Sequence, residues 1–239
     1  MIYFLKNLKV LKTLQLFQVL GHLRLNPSQF VLVFLLLFYS NPYEDFNIIR
    51  NYAVIVSKLF LRHGEVKNNK DIFYGDLIGY QLSDKGQEQA IKAAKYIADN
   101  FDIKNIYCSP LLRARQTAEP LSKLLNIEVT YTNNLIEWGG VKNWKGRTFS
   151  EFSQSEEYKL YIEDPLKIKT TEETYQDVYK RVKKEYIKIN NCVFVSHQDT
   201  IRSFTFYELD DKNFNNNKPD HCSIHEIVKD KLTIHPNLD

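Results

Sequence analysis

The stretch "KLFLRHGEVKNN", residues 58–69, runs an apolar strand into an arginine, a histidine, a glycine and then a polar loop. Arginine and histidine are costly to bury without partners. A chain that sets Arg62 and His63 side by side where a buried strand ends must turn them toward something other than the core. Gly64 fits that need, because a residue without a Cβ lets the chain turn sharply and lets backbone approach a ligand closely.

Two further stretches repeat the pattern. "NCVFVSH", residues 191–197, is a strongly apolar strand that ends in His197, and "IKNIYCS", residues 103–109, leads through Pro110 into a helix whose first turn holds Arg113. In open α/β sheets ligands bind outside the carboxyl ends of the strands, so these groups are expected to converge on one crevice. Singly, a histidine at a strand end is usually an ordinary hydrogen-bonded polar group, and an arginine near a helix start is usually solvated. Two histidines and two arginines with no obvious acidic partner form a set suited to a dianionic phosphoryl group: guanidinium forks bind phosphate oxygens bidentately, and imidazole can act as nucleophile or proton donor.

From residue 54 onward strand and helix signals alternate, which predicts an α/β domain with a largely parallel sheet. "VIVSKLFLR" (54–62) is the first strand; "LSDKGQEQAIKAAKYIADN" (82–100) is a helix with Ser83 as N-cap and a stripe of Ala90, Ile91, Ala94 and Ile97. "PLLRARQTAEPLSKLL" (110–125) is a helix with Pro110 at its first position, and "IEVTY" (127–131) is a strand. "TEETYQDVYKRVKKEYIK" (171–188) is a long helix capped by Thr171 or Thr174, and "QDTIRSFTFYEL" (198–209) is another. The Asn-rich "DDKNFNNNKPD" (210–220) is a loop, and "CSIHEIVKDKLTIHP" (222–236) closes as a hairpin around Lys229 to Lys231. No internal repeat is visible.

With 239 residues, 44% of them apolar, the chain can bury a sizeable core. The net charge of +3 is too small to imply nucleic-acid binding through the whole surface. It resides entirely in the first 55 residues, where Lys6, Lys9, Lys12, Arg24 and Arg50 face Glu44 and Asp45. Cys108, Cys192 and Cys222 are few and lack metal-ligand spacing, so free, mostly buried thiols in a reducing compartment are expected. His221, Cys222, His225 and His235 likewise lack paired ligand spacing and are expected at ordinary strand positions, with no metal.

Residues 1–53 form an apolar extension to a domain of residues 54–239. Their apolar run, "FVLVFLLLFY" at 30–39, is shorter than the roughly 20 residues a spanning helix needs. Met1 is the only methionine, and a start upstream of the true one or a dispensable extension is expected ahead of a membrane anchor. Intact mass of the native protein distinguishes these.

Six blocks resemble the histidine phosphatases, the phosphoglycerate mutase-like superfamily. They are "LRHGEVKNN" (61–69), "LSDKGQEQA" (82–90), "CSPLLRARQTAEP" (108–120), "LIEWGGVKNWKGRTFSE" (135–151), "EETYQDVYKRV" (172–182) and "VFVSHQDTIRS" (193–203), in the family's order. The resemblance implies a three-layer α/β/α sandwich around a largely parallel sheet. It also implies a covalent mechanism in which His63 takes the phosphoryl group as a phosphohistidine that water then hydrolyses. By the same resemblance, Arg62, Arg113 and His197 clamp the phosphoryl oxygens, Asn69 makes a further substrate contact, and Glu137 is the general acid. Three departures stand out. Trp144 and Gly146 come one residue late after Glu137, which implies an inserted residue in that loop. The frequent Gly-Gly after His197 is Gln198-Asp199, which places a carboxylate near the pocket rim or, on the favoured reading, a residue suited to a helix N-terminus. Glu172 replaces a usual glycine and is expected to stiffen the start of the helix that follows.

The compact segment from Glu137 to Glu151 is similar to the broad-specificity and α-ribazole phosphatase branch. The expected function is metal-independent, cofactor-free hydrolysis of a small phosphomonoester in the cytoplasm, with anchoring through residues 1–53 as the alternative location. No nucleic-acid or membrane partner is expected, and a homodimer stays open. The alternatives are a 2,3-bisphosphoglycerate-dependent phosphoglycerate mutase and, further off, a non-catalytic binder of phosphorylated ligands. Against the mutase, Glu137 is not followed by an Arg-His-Tyr-Gly-type run, and the stretch between Trp144 and Thr174 is short for a mutase lid. The lid over residues 150–173, with "EEYKLYIEDPLKIK", points to no single metabolite.

Overall fold

The computed structural model describes residues 57–235, apart from 170, 211–213, 216–217 and 229–230. The elements run β1 (Lys58–Arg62), α1 (Asp84–Asn100), β2 (Asn105–Cys108), α2 (Leu112–Leu125) and β3 (Val129–Tyr131). The short helices α3 (Phe149–Phe152) and α4 (Glu156–Glu163) follow, then α5 (Tyr175–Tyr186), β4 (Cys192–Ser196), α6 (Gln198–Leu209), β5 (Ile224–Val228) and β6 (Lys231–Ile234). The strand order is β3-β2-β4-β1-β5-β6. The pairs β1 with β4, β2 with β4 and β2 with β3 are parallel, while β5 pairs antiparallel with β1 and β6.

Alternation along the strands explains the layers. Leu59 and Leu61 of β1, Val193 and Val195 of β4, and Ile106 and Cys108 of β2 face one side, against the alanines and Ile97 of α1 and Ala114, Ala118 and Leu121 of α2. Phe60, Cys192 and Phe194 face the other side, against Val178 and Val182 of α5 and Ile201 and Phe204 of α6. Strands that are apolar on both faces need helices on both, which gives the three-layer sandwich expected from the sequence.

Local chemistry sets the helix ends. Ser83 caps α1 by accepting from the Gly86 N–H at 3.0 Å. Thr174, rather than Thr171, caps α5, in a reciprocal box with Asp177. Pro110 lies before Leu111, the N-cap of α2, and so precedes the helix instead of opening it. Ile91 is not in the buried stripe of α1: it is 59% exposed, and Ala93 packs in its stead beside Ala90, Ala94 and Ile97. Glu172 lies outside α5 and ion-pairs with Lys145 at 3.2 Å. The three cysteines are buried and form no disulfide with one another. Strand β1 begins at Lys58; residues 54–56, the extension 1–53 and positions 229–230 of the closing hairpin lie outside the described residues. No helix among the described residues is long and apolar enough to cross a membrane.

Candidate active site

The sheet register brings the two histidines together. Arg62 pairs with Ser196 across β1 and β4, and the His63 N–H continues the ladder by donating to the Ser196 carbonyl at 3.0 Å. His63 and His197 therefore leave adjacent parallel strands side by side, their ring centroids 5.1 Å apart. On the next strand the Ser109 N–H donates to the Val195 carbonyl at 3.0 Å, and the Ser109 hydroxyl lies 2.8 Å from His197 Nε2. Arg113 follows in the first turn of α2 and is fully buried.

His63 Nδ1 donates to the Gly64 carbonyl at 2.8 Å, which fixes the tautomer and leaves Nε2 with the lone pair. Burial, then the charges of Arg62 and Arg113, hold its pKa well below the ordinary histidine value. His197 is held down by burial and then by Arg113. Both rings are thus neutral at pH 7. The loop that carries the Gly64 carbonyl is itself fixed. A Cβ on Gly64 would lie 2.4 Å from the Gly86 carbonyl, and one on Gly86 would lie 2.0 Å from the Glu65 carbonyl, so only two glycines allow this approach to the first turn of α1. The Gly64 N–H donates to Thr117 Oγ1 at 3.0 Å, tying the loop to α2 as well.

The arginines are held by main chain, not by acids. Arg62 donates from Nη1 to the Pro219 carbonyl at 2.6 Å and from Nη2 to His221 Nε2 at 3.0 Å. Arg113 donates from Nη1 to the Leu77 carbonyl at 3.1 Å and from Nη2 to the Gly75 carbonyl. Neither arginine has a carboxylate in ion-pair range among the described residues. Arg62 Nε, Arg113 Nε and His197 Nδ1 are buried without a hydrogen-bond partner. Buried polar atoms left unpaired are costly, and two of these three belong to guanidinium groups, which suit an anionic oxygen-rich partner.

Glu137 faces this cluster from the loop after β3. Its Oε1 accepts from the Trp138 N–H at 2.8 Å and from the Thr200 N–H at 3.2 Å, and lies 3.2 Å from the Thr200 hydroxyl oxygen. The segment is clamped on both sides: Thr200 Oγ1 donates to the Ile136 carbonyl at 2.6 Å, and Ser196 Oγ donates to the Leu135 carbonyl at 2.8 Å. Gly140, at a φ of +71°, and the 3₁₀ turn Lys142–Trp144 follow in this loop. Burial, then the charge of Asp199, pushes its carboxyl up to about 7, against the pull of Arg113 and Arg62.

Arg62, His63, Arg113, Glu137 and His197 are brought together; Asn69 is exposed in the turn at residues 69–70. Its neighbour Asn68 closes the loop instead, through two bonds to Ile72 at 2.8 and 3.1 Å. Two residues were missed by the sequence reasoning, His221 and Tyr74, and a third, Asp199, was given its helix-start reading over the one near the pocket rim. His221, expected at a strand position, sits in the turn before β5 with its ring 5.7 Å from that of His63. Tyr74 lies under the Arg113 guanidinium, 4.8 Å from ring centroid to Cζ. Asp199 is in the first turn of α6 as expected, but it is buried and ion-paired with Arg202 at 3.2 Å. A charged pair three residues apart on the otherwise uncharged "QDTIRSFTF" was the available signal. Among the described residues no group of metal-ligating side chains is present.

Residues 59–233 match the histidine phosphatase superfamily (branch 1), and the chain belongs to that family. It is 32% identical over 154 residues to the 2,3-bisphosphoglycerate-dependent phosphoglycerate mutase of Thermoplasma acidophilum, covering 64% of this chain and 76% of that protein. It is 30% identical to phosphoserine phosphatase 1 of Hydrogenobacter thermophilus, covering 54% and 62%. The phosphoserine phosphatase of Entamoeba histolytica, solved with 3-phosphoglyceric acid, superposes with a TM-score of 0.61 at 24% identity over 75% of this chain and 95% of that one. The matches cover smaller shares, 38% and 44%, of two mycobacterial relatives.

Proposed function

We propose that the chain hydrolyses small phosphomonoesters without a metal, through a phosphohistidine on His63. The observation that carries this reading is the neutral His63, its Nε2 free of the Gly64 bond, beside the unpaired donors of Arg62, Arg113 and His197. In the first step the Nε2 lone pair forms the N–P bond while the ester P–O bond breaks. Glu137 gives its proton to the departing oxygen, and the alcohol leaves neutral. In the second step Glu137 takes a proton from water as the water oxygen attacks phosphorus. Inorganic phosphate leaves, and His63 and Glu137 return to their starting states. Arg62, Arg113 and His197 bind the equatorial oxygens, where phosphoryl transfer needs positioning and charge stabilisation most.

A mutase is the second reading, favoured by the Thermoplasma acidophilum relative. Both named activities concern phosphorylated three-carbon acids, so 3-phosphoglycerate and O-phosphoserine are the first substrates to try. Phosphorus NMR of 3-phosphoglycerate in chelator, with and without catalytic 2,3-bisphosphoglycerate, separates the outcomes. Inorganic phosphate that disappears in His63→Ala supports the phosphatase; conversion to 2-phosphoglycerate supports the mutase. A His63→Ala protein that binds phosphate esters as well as a turnover-incompetent wild type does identifies a binder.

A further inference from the structure

We propose that Asp199 is a positioning residue for the reaction: held as a carboxylate by Arg202, it acts through Glu137 to keep that residue a proton donor in the first step and a strong base in the second. This rests on the role given to Glu137 above and goes beyond it, because the position carries glycine in the pattern the sequence resembles.

The geometry supplies the coupling. The N–H that Glu137 Oε1 accepts at 3.2 Å belongs to the peptide joining Asp199 to Thr200, so the two carboxyls flank one peptide group. Both residues are largely buried, at 9% and 7% exposure, where charges interact with less screening than in water. Asp199 has a cation: Arg202 Nη1 lies 3.2 Å from its Oδ1. Arg202 itself is fully buried, with its guanidinium 3.8 Å over the Phe214 ring. Glu137 has only neutral donors on Oε1 and no ion pair among the described residues. Of two neighbouring carboxyls, the one with a bonded cation ionises and the other keeps the proton.

The groups around Glu137 fix the sign. Arg62 on β1 and Arg113 on α2 favour its ionised form; Asp199 on α6 opposes it. The phenols of Tyr74, Tyr161 on α4 and Tyr175 on α5 are themselves pushed up by burial and carry no charge near neutrality. Burial pushes the Asp199 carboxyl up too, and Arg202 works against that. Removing the Asp199 charge leaves two arginines unopposed, and the Glu137 proton is lost at lower pH. Asp199 exchanges no proton with substrate. Once Glu137 has given its proton away, the same repulsion makes it the better base for water.

The test is the pH dependence of kcat/KM for the full chain and for Asp199→Asn, with two esters: phenyl phosphate, whose alcohol leaves poorly, and p-nitrophenyl phosphate, whose alcohol leaves well without a proton. Asn keeps an acceptor for Arg202. The alkaline limb with phenyl phosphate is expected to move to lower pH, costing about tenfold in rate above neutrality for each unit of movement. The p-nitrophenyl ester should change by no more than about twofold, since it draws little on the general acid. Asp199→Glu should restore the limb. If Asp199→Asn fails to fold, Asp199→Asn with Arg202→Met removes both charges and leaves no buried cation alone; the same shift is expected. A limb that coincides with wild type, or equal losses on both esters, overturns the proposal. Glu137→Gln is the control. If it spares phenyl phosphate, the role of Glu137 fails and this inference with it; if it is strongly defective while Asp199→Asn is normal, only the part given to Asp199 fails.

Discussion

The two sides of the sheet are made of different materials. Toward α1 and α2 the buried core is aliphatic and small, with Ala90, Ala93 and Ala94 meeting Ala114 and Ala118. Toward α5 and α6 it is aromatic, with Phe60 stacked on Phe194 and tilted against Phe204, and Trp138, Trp144, Phe152 and Tyr175 beyond them. Small side chains let backbones approach, and on that side the site is built from main chain: Gly64 against Gly86, and the Gly64 carbonyl on His63. On the other side the chain leaves the sheet in long loops, and large rings fix them. Glu137 owes its place to Trp138, which stacks on Tyr175 at 4.4 Å and donates from Nε1 to the Glu173 carbonyl at 3.0 Å. His63 is thus held by close approach, and Glu137 by ring packing together with the N–H groups of Trp138 and Thr200.

If that contrast is right, the two sides should break differently. Trp138→Ala deletes a 1% exposed indole and its hydrogen bond, and should cost about 3–5 kcal/mol in urea unfolding. Trp138→Phe keeps most of the packing and should lose far less stability, while phenyl phosphate suffers more than p-nitrophenyl phosphate because Glu137 loosens. Gly86→Ala acts on the other side. Alanine is the better helix former, yet its Cβ would collide with the Glu65 carbonyl, so a net loss of about 1–3 kcal/mol is expected. Because that loop carries the Gly64 carbonyl, both esters should slow equally. Ester-selective loss in Gly86→Ala would blur the distinction between the two sides.

What the sequence made legible follows the same division. Strand ends are set by local pattern, so the pairing of His63 with His197 and the place of Arg113 could be read from apolar runs that stop at polar residues. The caps Ser83 and Thr174 could be read for the same reason. Helix phase was less clear: Ile91 is apolar but one residue off the face that Ala90, Ala94 and Ile97 define. Long-range returns were not legible. Asp199 reads as a helix-start residue until the loop bearing Glu137 is laid against α6, and His221 follows an Asn-rich loop whose path no local pattern fixes. These residues sit where segments distant in sequence cross, and periodicity carries no information about crossings.

His221 offers the finest test of how the main-chain side holds its cations. Arg62 is gripped by a segment 157 to 159 residues later in the chain, through the Pro219 carbonyl and His221 Nε2. An arginine can only donate, so His221 must accept, and any residue that offers an acceptor at that reach should serve. His221→Gln keeps one; His221→Leu keeps bulk and loses it. The lost hydrogen bond is worth about 0.5–1.5 kcal/mol, or about two- to tenfold in kcat/KM. Because Arg62 is assigned to ester oxygens common to every substrate, the loss in His221→Leu should be the same for phenyl and p-nitrophenyl phosphate, with little change in unfolding midpoint, and His221→Gln should recover most of it. Equal defects in Gln and Leu would mean that the imidazole acts on the bound phosphate or on His63 directly, and that the cation clamp on this side is held by Pro219 alone.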